Sequence, residues 1–246
     1  MNSIQTISAQ ELEILKRVDT PTICNVIELF EVRLRNTGYM DTRIQACFPE
    51  MPPMVGYATT ATLCTSVLPR GGELYAGMDG QLATFDSIPE PRVVVCQDLD
   101  VPSAAATFGE VMCMTYQTFG CTGLITSGTG RDLDQVRGID FPAFTNGTIC
   151  SHGYHHIIDV NVAVHVGGIV VYPGDLLHGD CNGVTTIPNH IAGQVARICE
   201  EYMEAEGYVL DFVKTGKRNL KGWEDARAAC GKKIDELRER ALKSLK

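Results

Sequence analysis

The chain has 246 residues, 44% hydrophobic and 21% charged, with a formal net charge of −9. This is the composition of a soluble globular protein long enough to bury a substantial core. The charge is uneven: residues 1–213 hold 10 Lys/Arg against 25 Asp/Glu, about −15, while the last 33 residues hold 11 against 5, about +6. So acidic a body argues against nonspecific nucleic-acid binding, which works by neutralising phosphates, and no apolar run approaches the length of a membrane span.

The N-terminus MNSIQTISAQELEILKRV lacks a basic-then-apolar signal segment, so the expected compartment is the cytoplasm. Ten cysteines, none in a Cys-x-x-Cys pair, read as small buried thiols; Cys24, Cys64, Cys96, Cys113, Cys121 and Cys199 lie inside apolar patterns. Ser8-Ala9-Gln10-Glu11 is a capping box that starts a helix through about Val18. Pro21 suits the first turn of a second helix reaching Phe30. Residues 31–53 read as irregular. Alternation at 54–66 predicts a strand, followed by a helix over about 74–86. Residues 92–96 form a compact apolar strand ending in Gln97-Asp98-Leu99-Asp100. There Asp98 or Asp100 would order water on a metal or, more simply, cap or solvate the strand end.

Thr107-Phe108-Gly109-Glu110 opens a helix with Val111, Met114, Thr115 and Thr118 at helical spacing. Residues 121–126 are short, apolar and β-branched, as in a buried strand. Ser127-Gly128-Thr129-Gly130 breaks it, and Asp132 begins the next helix through Leu133 and Val136. Short strands are read at Phe144, Ile149, 157–166 and 169–172, and a hairpin turn at Asn182-Gly183. Pro188 opens a long helix with Ile191, Val195, Ile198 and Tyr202. In the basic tail Ala226, Cys230, Ile234, Leu237, Ala241 and Leu245 recur at helical spacing. This reads as a charged helix covering the body or a neighbouring subunit rather than an RNA arm.

Between Glu110 and Arg131 lie twenty residues, and Asp132 follows at once. In an α/β layer the carboxyl end of a strand and the start of the adjacent helix share one crevice. Glu110, Arg131 and Asp132 can therefore converge: two oxygen donors for a hard divalent cation and a planar guanidinium for a carboxylate. Gly109 lets a ligand approach the backbone, and the first N–H groups, those of Glu110, Val111 and Met112, form an anion-binding helix start. The plainer reading makes Asp132 an N-cap. Gly128-Thr129-Gly130 is not a nucleotide loop, because it lacks the third glycine of a dinucleotide fingerprint and no Gly-Lys-Ser/Thr follows. No lysine near the motif suggests a Schiff base.

His152, His155 and His156 lie with Asp159 within eight residues. In an extended segment neighbours face opposite sides, so His155 and His156 do not easily share an ion. The segment reads as a substrate- or subunit-contacting loop that tunes specificity. His178 and His190 read as structural.

An acidic residue, twenty positions and then Arg-Asp is the signature of the divalent-metal class II pyruvate aldolases, and Glu110, Arg131 and Asp132 match it. The segment resembles the 4-hydroxy-4-methyl-2-oxoglutarate/4-carboxy-4-hydroxy-2-oxoadipate aldolase family, which also contains the regulators of ribonuclease activity A. The likeness runs over roughly residues 8–206, through Asp19-Thr20-Pro21-Thr22, residues 55–61, residues 161–164 with Gly167-Gly168, Pro173-Gly174-Asp175 and residues 180–184. The resemblance implies an α/β fold with a layered β/β/α, swivelling-type core and additional N- and C-terminal helices. That gives a domain over 1–210 and a basic helical extension over 211–246.

The same resemblance implies Mg²⁺ (or Mn²⁺) on Asp132, with Glu110 reached through water that serves as proton donor and acceptor. Arg131 would hold the substrate and stabilise an enolate, while the amides of residues 109–112 bind a carboxylate. A homotrimer or dimer of trimers is implied, in which an acid of a neighbouring subunit's C-terminal helix, here Glu200, Glu201 or Glu204, approaches the metal. The expected reaction cleaves a 4-hydroxy-2-oxo di- or tricarboxylic acid to pyruvate and a second 2-oxo acid, with oxaloacetate decarboxylation through the same enolate. The alternatives are a noncatalytic regulator binding a protein partner, and another metal-dependent lyase, hydratase or hydrolase. Such regulators tend to lack the acid after the arginine, which this chain keeps. The chain departs from common members at Ser127-Gly128, where an Ile-Asp-Gly-like turn is usual, and in its histidine loop and tail.

Overall fold

The structure, a computed structural model, describes residues 4–71, 73 and 76–245. Ser8 Oγ accepts the Glu11 N–H and the Glu11 carboxylate accepts the Ser8 N–H, so the capping box forms and opens α1 (Ala9–Leu15). This helix stops short of Val18, and Asp19 leaves helical geometry to cap α2 (Thr20–Glu28) through the Thr22 N–H. After β1 (Gln45–Ala46) comes β2 (Met54–Cys64), which is buried at all eleven residues instead of alternating. Its two faces are both covered, as in a strand packed on each side. Beyond Cys64 the Asp100 carboxylate draws the N–H and hydroxyl groups of Thr65 and Ser66 into a loop. Next, α3 is short, Met78–Thr84, and a 3-10 turn continues it to Ser87; Leu74 and Tyr75, where a helix was expected to begin, lie outside the described residues.

The motif region follows as β3 (Arg92–Asp98), β4 (Ala106–Phe108), α4 (Glu110–Thr118), β5 (Cys121–Thr126), β6 (Thr129–Gly130), α5 (Leu133–Gly138) and β7 (Ala143–Thr145). The chain continues through β8 (His156–Val160), β9 (Val164–Val166), β10 (Ile169–Val171), β11 (Leu176–Asp180) and β12 (Gly183–Ile187). A 3-10 turn at Asn189–Ile191 precedes α6 (Ala192–Lys214), and α7 (Leu220–Lys243) ends the fold.

Strands β7, β5, β3 and β2 are parallel neighbours in that order, with β1 antiparallel on β7. The far edge of β2 is shared: β11 pairs with residues 54–57 and β8 with residues 61–64, and the β11–β12 hairpin turns at Asn182-Gly183 as expected. Side-chain alternation along β3 separates two layers. Val94 and Cys96 pack with Met112, Cys113 and Tyr116 of α4. Val93 and Val95 pack with Val164, Val166 and Val171 of the β9–β10 hairpin. A third cluster joins α1, α2, α6 and α7 to β2, β11 and β12. The result is a layered β/β/α fold with added terminal helices. The basic tail does form a helix on the body: Leu237 and Ala241 are buried, and Arg240 and Lys233 pair with Glu201. Among the described residues no helix is long and apolar enough to cross a membrane.

Candidate functional site

The short strands β4 and β6 set the site. They pair in parallel with Phe108 opposite Gly130, and the Arg131 N–H donates to the Phe108 carbonyl at 3.2 Å. The residues leaving the two strands, Gly109-Glu110 and Arg131-Asp132, therefore lie side by side. Twenty residues is the length this chain needs to build α4, return through β5 and re-enter beside β4. On α4 the apolar spacing pointed to the wrong face: Met112, Cys113 and Tyr116 are buried, whereas Val111 is 77% exposed and Met114 48%.

Asp132 precedes α5 in the left-handed region, with φ 54°, and does not cap its own helix through its side chain. Aspartate enters that region more readily than most non-glycine residues. Its Oδ2 instead accepts the Glu110 N–H at 3.1 Å and lies 3.6 Å from Arg131 Nε. A Cβ on Gly109 would stand 2.5 Å from that oxygen and 3.1 Å from Arg131 Nε, so only glycine admits the approach without displacement. Of the three amides expected to receive an anion, that of Glu110 is thus committed to Asp132. Those of Val111 and Met112 lie in the first turn, where helix geometry provides no intrahelical partner.

Gly109, Val111, Met112, Arg131 and Asp132 line one cavity of ≈ 350 Å³. Glu110 joins them through its backbone; its side chain is not among the lining groups. The wall is completed by Met78 of α3, Ala106 and Phe108 of β4, and His152 and His155. Nothing local in the sequence marks Met78, because its place depends on how α3 packs beside β8 and α4.

The histidine loop reaches this site and divides there. His155 is 2% exposed, with Nε2 3.1 Å from the Thr107 carbonyl. A carbonyl only accepts, so Nε2 carries the proton and ties the loop to β4. Burial pushes the His155 pKa down from 6.5 to about 4. His156 points its Nδ1 to the Tyr154 carbonyl at 2.8 Å. His178 is buried between Thr20 Oγ1 and the Leu15 carbonyl, a structural role as expected. His190 is exposed and holds no such place, which corrects the structural reading given to it.

Asp98 and Asp100 belong elsewhere, to a polar cavity of ≈ 220 Å³ shared with Gln97, Ser127 and Asn146. Asp98 is buried rather than solvated, and burial pushes its carboxyl pKa up. Burial acts on Asp100 in the same direction, but the hydrogen bonds from Ser66 and Thr65 hold its carboxyl below the ordinary value.

The fit of a metal follows from the donor set. Among the described residues no three His, Cys, Asp or Glu side chains gather around a common point. The Asp132 cavity offers one carboxylate. That suits Mg²⁺ or Mn²⁺, hard ions that water and substrate oxygens can complete, better than the enclosed nitrogen and sulfur set of structural zinc. Of the acids considered on the C-terminal helix, Glu201 is taken by Arg240 and Lys233 of its own chain, whereas Glu200 and Glu204 are exposed on α6.

With this geometry in place, the sequence relationship is unambiguous: residues 20–186 match the RraA-like family, described as Aldolase/RraA, and the chain belongs to it. A protein of Halalkalibacterium halodurans with the provisional name 4-hydroxy-4-methyl-2-oxoglutarate aldolase is 33% identical over 107 residues, 43% of this chain and 50% of that protein. The chain spans about half the length of such curated relatives. The fold is shared with a Pseudomonas syringae pv. tomato protein described as uncharacterized, at TM-score 0.71 and 21% identity, covering 92% of this chain and 96% of that one. It is shared also with a Streptomyces coelicolor protein described as an unusual member of the RNase ES inhibitor RraA family, at TM-score 0.64 and 22% identity, covering 82% and 98%.

Proposed function

We propose that this chain is a divalent-metal-dependent carbon–carbon lyase that acts on a 4-hydroxy-2-oxo acid and releases pyruvate, with oxaloacetate decarboxylation open to it through the same enolate. The observation that supports this reading is the meeting of Asp132, Arg131 and the first turn of α4 in one cavity. Asp132 would hold Mg²⁺ or Mn²⁺; when bound, such an ion supplies Lewis-acid stabilisation to negative charge on the substrate. The Arg131 fork places fixed positive charge where the enolate oxygen develops. The Val111 and Met112 N–H groups receive the carboxylate of the 2-oxo acid. Glu110, half-buried at the first position of α4 with its side chain off the cavity wall, would act on the substrate's proton only through an intervening water that it orients.

The same proposal includes a homo-oligomer, a trimer or a dimer of trimers. Val111 lines the cavity yet is 77% exposed, with Met114 48% exposed beside it on α4. Such apolar residues at a cavity mouth suit cover by a neighbouring subunit, whose Glu200 or Glu204 would approach the ion. The test is pyruvate release from a panel of 4-hydroxy-2-oxo acids and oxaloacetate, with Mg²⁺, with Mn²⁺ and with a chelator. Metal-dependent release from any member supports the lyase. No release from every member, together with firm binding to a protein partner, would favour a noncatalytic regulator.

A further inference from the structure

Strand β4 is three residues long and runs straight into Gly109 and the first turn of α4. Towards β6 it is held by the Arg131 N–H on the Phe108 carbonyl and by the Thr107 hydroxyl, which donates to the Thr129 carbonyl at 2.9 Å. The histidine loop meets it as well. The Ala106 N–H donates to the Ser151 carbonyl at 2.7 Å, and His155 Nε2–H donates to the Thr107 carbonyl at 3.1 Å. Thr107 is 1% exposed and His155 2%, so bulk water cannot replace this donor.

The loop that carries the ring has little slack. Gly153 turns with φ 51°, and a Cβ there would stand 2.6 Å from the Thr65 carbonyl oxygen and 2.9 Å from Ala105 Cβ. The Tyr154 N–H donates to the same Thr65 carbonyl at 2.8 Å, and the His155 N–H closes the turn on the His152 carbonyl at 3.2 Å. His152 in turn lines the cavity with Arg131 and Asp132.

We infer that His155 is a positioning residue of the site: through the Thr107 carbonyl it holds β4 and the histidine loop at one spacing, and so sets where Arg131, Asp132 and His152 stand around the cavity. Phe108 and Glu110 follow Thr107 within three residues, and their bonds to the Arg131 N–H and to Asp132 Oδ2 pass any shift of β4 to both motif side chains. The tie lies wholly inside one chain. Its effect on turnover rests on the lyase reading; its effect on geometry does not.

The test compares His155→Gln, whose amide N–H sits as many bonds from Cα as Nε2, with His155→Asn, which is too short, and His155→Leu, which has no donor. Amide hydrogen exchange is followed on the full chain at pH 7.5, beside pyruvate release with Mg²⁺. In His155→Asn and His155→Leu, residues 106–112 and 130–132 should exchange at least about tenfold faster, the order expected when a buried carbonyl loses its donor. Helices α6 and α7 should keep their protection. Turnover should fall by roughly 10–10²-fold, as for a misplacement of about 1 Å, and His155→Gln should restore both to within about threefold. Unchanged exchange at 106–112, or a uniform rise along the whole chain, overturns the inference, as does failure of both His155→Asn and His155→Leu to fold. If the wild type releases no pyruvate the lyase reading fails, and the exchange pattern alone decides the role of His155.

Discussion

The Oδ2 atom of Asp132 accepts the Glu110 N–H at 3.1 Å. The carboxylate after the motif arginine thus braces the start of the helix that carries the motif acid. A negative charge there also meets the positive end of the α4 dipole. The bond holds in one orientation the carboxylate proposed to carry the ion, before any ligand arrives.

Two substitutions separate that brace from the charge. Asp132→Asn keeps an oxygen able to accept the Glu110 N–H and a residue that tolerates φ 54°, so stability should change by no more than about 1 kcal/mol. Turnover should fall by roughly 10²–10³. Asp132→Ala loses the bond and strains the left-handed backbone, adding about 1–2 kcal/mol of destabilisation. Thermal midpoints and pyruvate release on both variants check this; equal stability of the two would remove the brace from the picture.

Gly109→Ala tests the close approach. The new methyl would stand 2.5 Å from Asp132 Oδ2, so the carboxylate and Arg131 must move. Because Gly109 is extended, with φ −158°, the fold should survive. Turnover should drop by roughly 10²-fold, the usual order for a misplacement of about 1 Å. Unimpaired turnover would show that the contact has slack.

Much of this site is legible in the sequence, and what escapes has physical causes. The convergence of Glu110 with Arg131-Asp132 can be read from spacing, since parallel strands leave their successors adjacent. The bond from Glu110 N–H to Asp132 cannot, because it depends on Asp132 turning left-handed instead of capping its own helix. Helix α4 is recognisable, but its buried face is not. Val111 and Met114 are as apolar as Met112 and Cys113, and only the packing against β3 and β5 chooses between them. Alternation likewise misleads along β2, where helices cover one face and the β9–β10 hairpin the other. Met78 enters the cavity from a separate element, and no local pattern announces it.

His155 should leave a signature in pH dependence. Its folded-state pKa lies near 4 against 6.5 when free, so between those values the unfolded chain binds the proton and the native one does not. Its contribution is full above pH 6.5 and declines as pH falls toward 4, by about 1.4 kcal/mol per unit and about 3 kcal/mol in all. The buried His178, also lowered by burial, adds a slope of the same sign. Urea unfolding from pH 4.5 to 7.5 should show a shallower slope for His155→Gln than for the wild type. Equal slopes would mean that His155 titrates normally.

Truncation before Gly216 removes α7. Leu237 and Ala241 belong to the cluster that joins α1, α2 and α6, and Leu237→Ala alone should cost about 2–5 kcal/mol. The ion pairs of Arg240 and Lys233 with Glu201 are partly exposed, so they add little and weaken with salt. The truncated chain should be less stable or altered in assembly. It should still bind Mg²⁺ and pyruvate, because no α7 residue is among those lining the Asp132 cavity. Denaturation and sedimentation at low and high salt check this; a truncated protein of full stability that has lost turnover would place the tail in the active site.

Whether Asp132 holds the ion and Arg131 the substrate charge is decided by titrating wild type, Asp132→Asn and Arg131→Ala with Mn²⁺, followed by electron paramagnetic resonance, alongside metal-dependent pyruvate release. The wild type should bind Mn²⁺ and stop turning over in excess chelator. Asp132→Asn should lose binding and turnover together, and Arg131→Ala should keep the ion and lose turnover. Undiminished Mn²⁺ binding and pyruvate release in Asp132→Asn, or full wild-type turnover in excess chelator, would contradict the assignment.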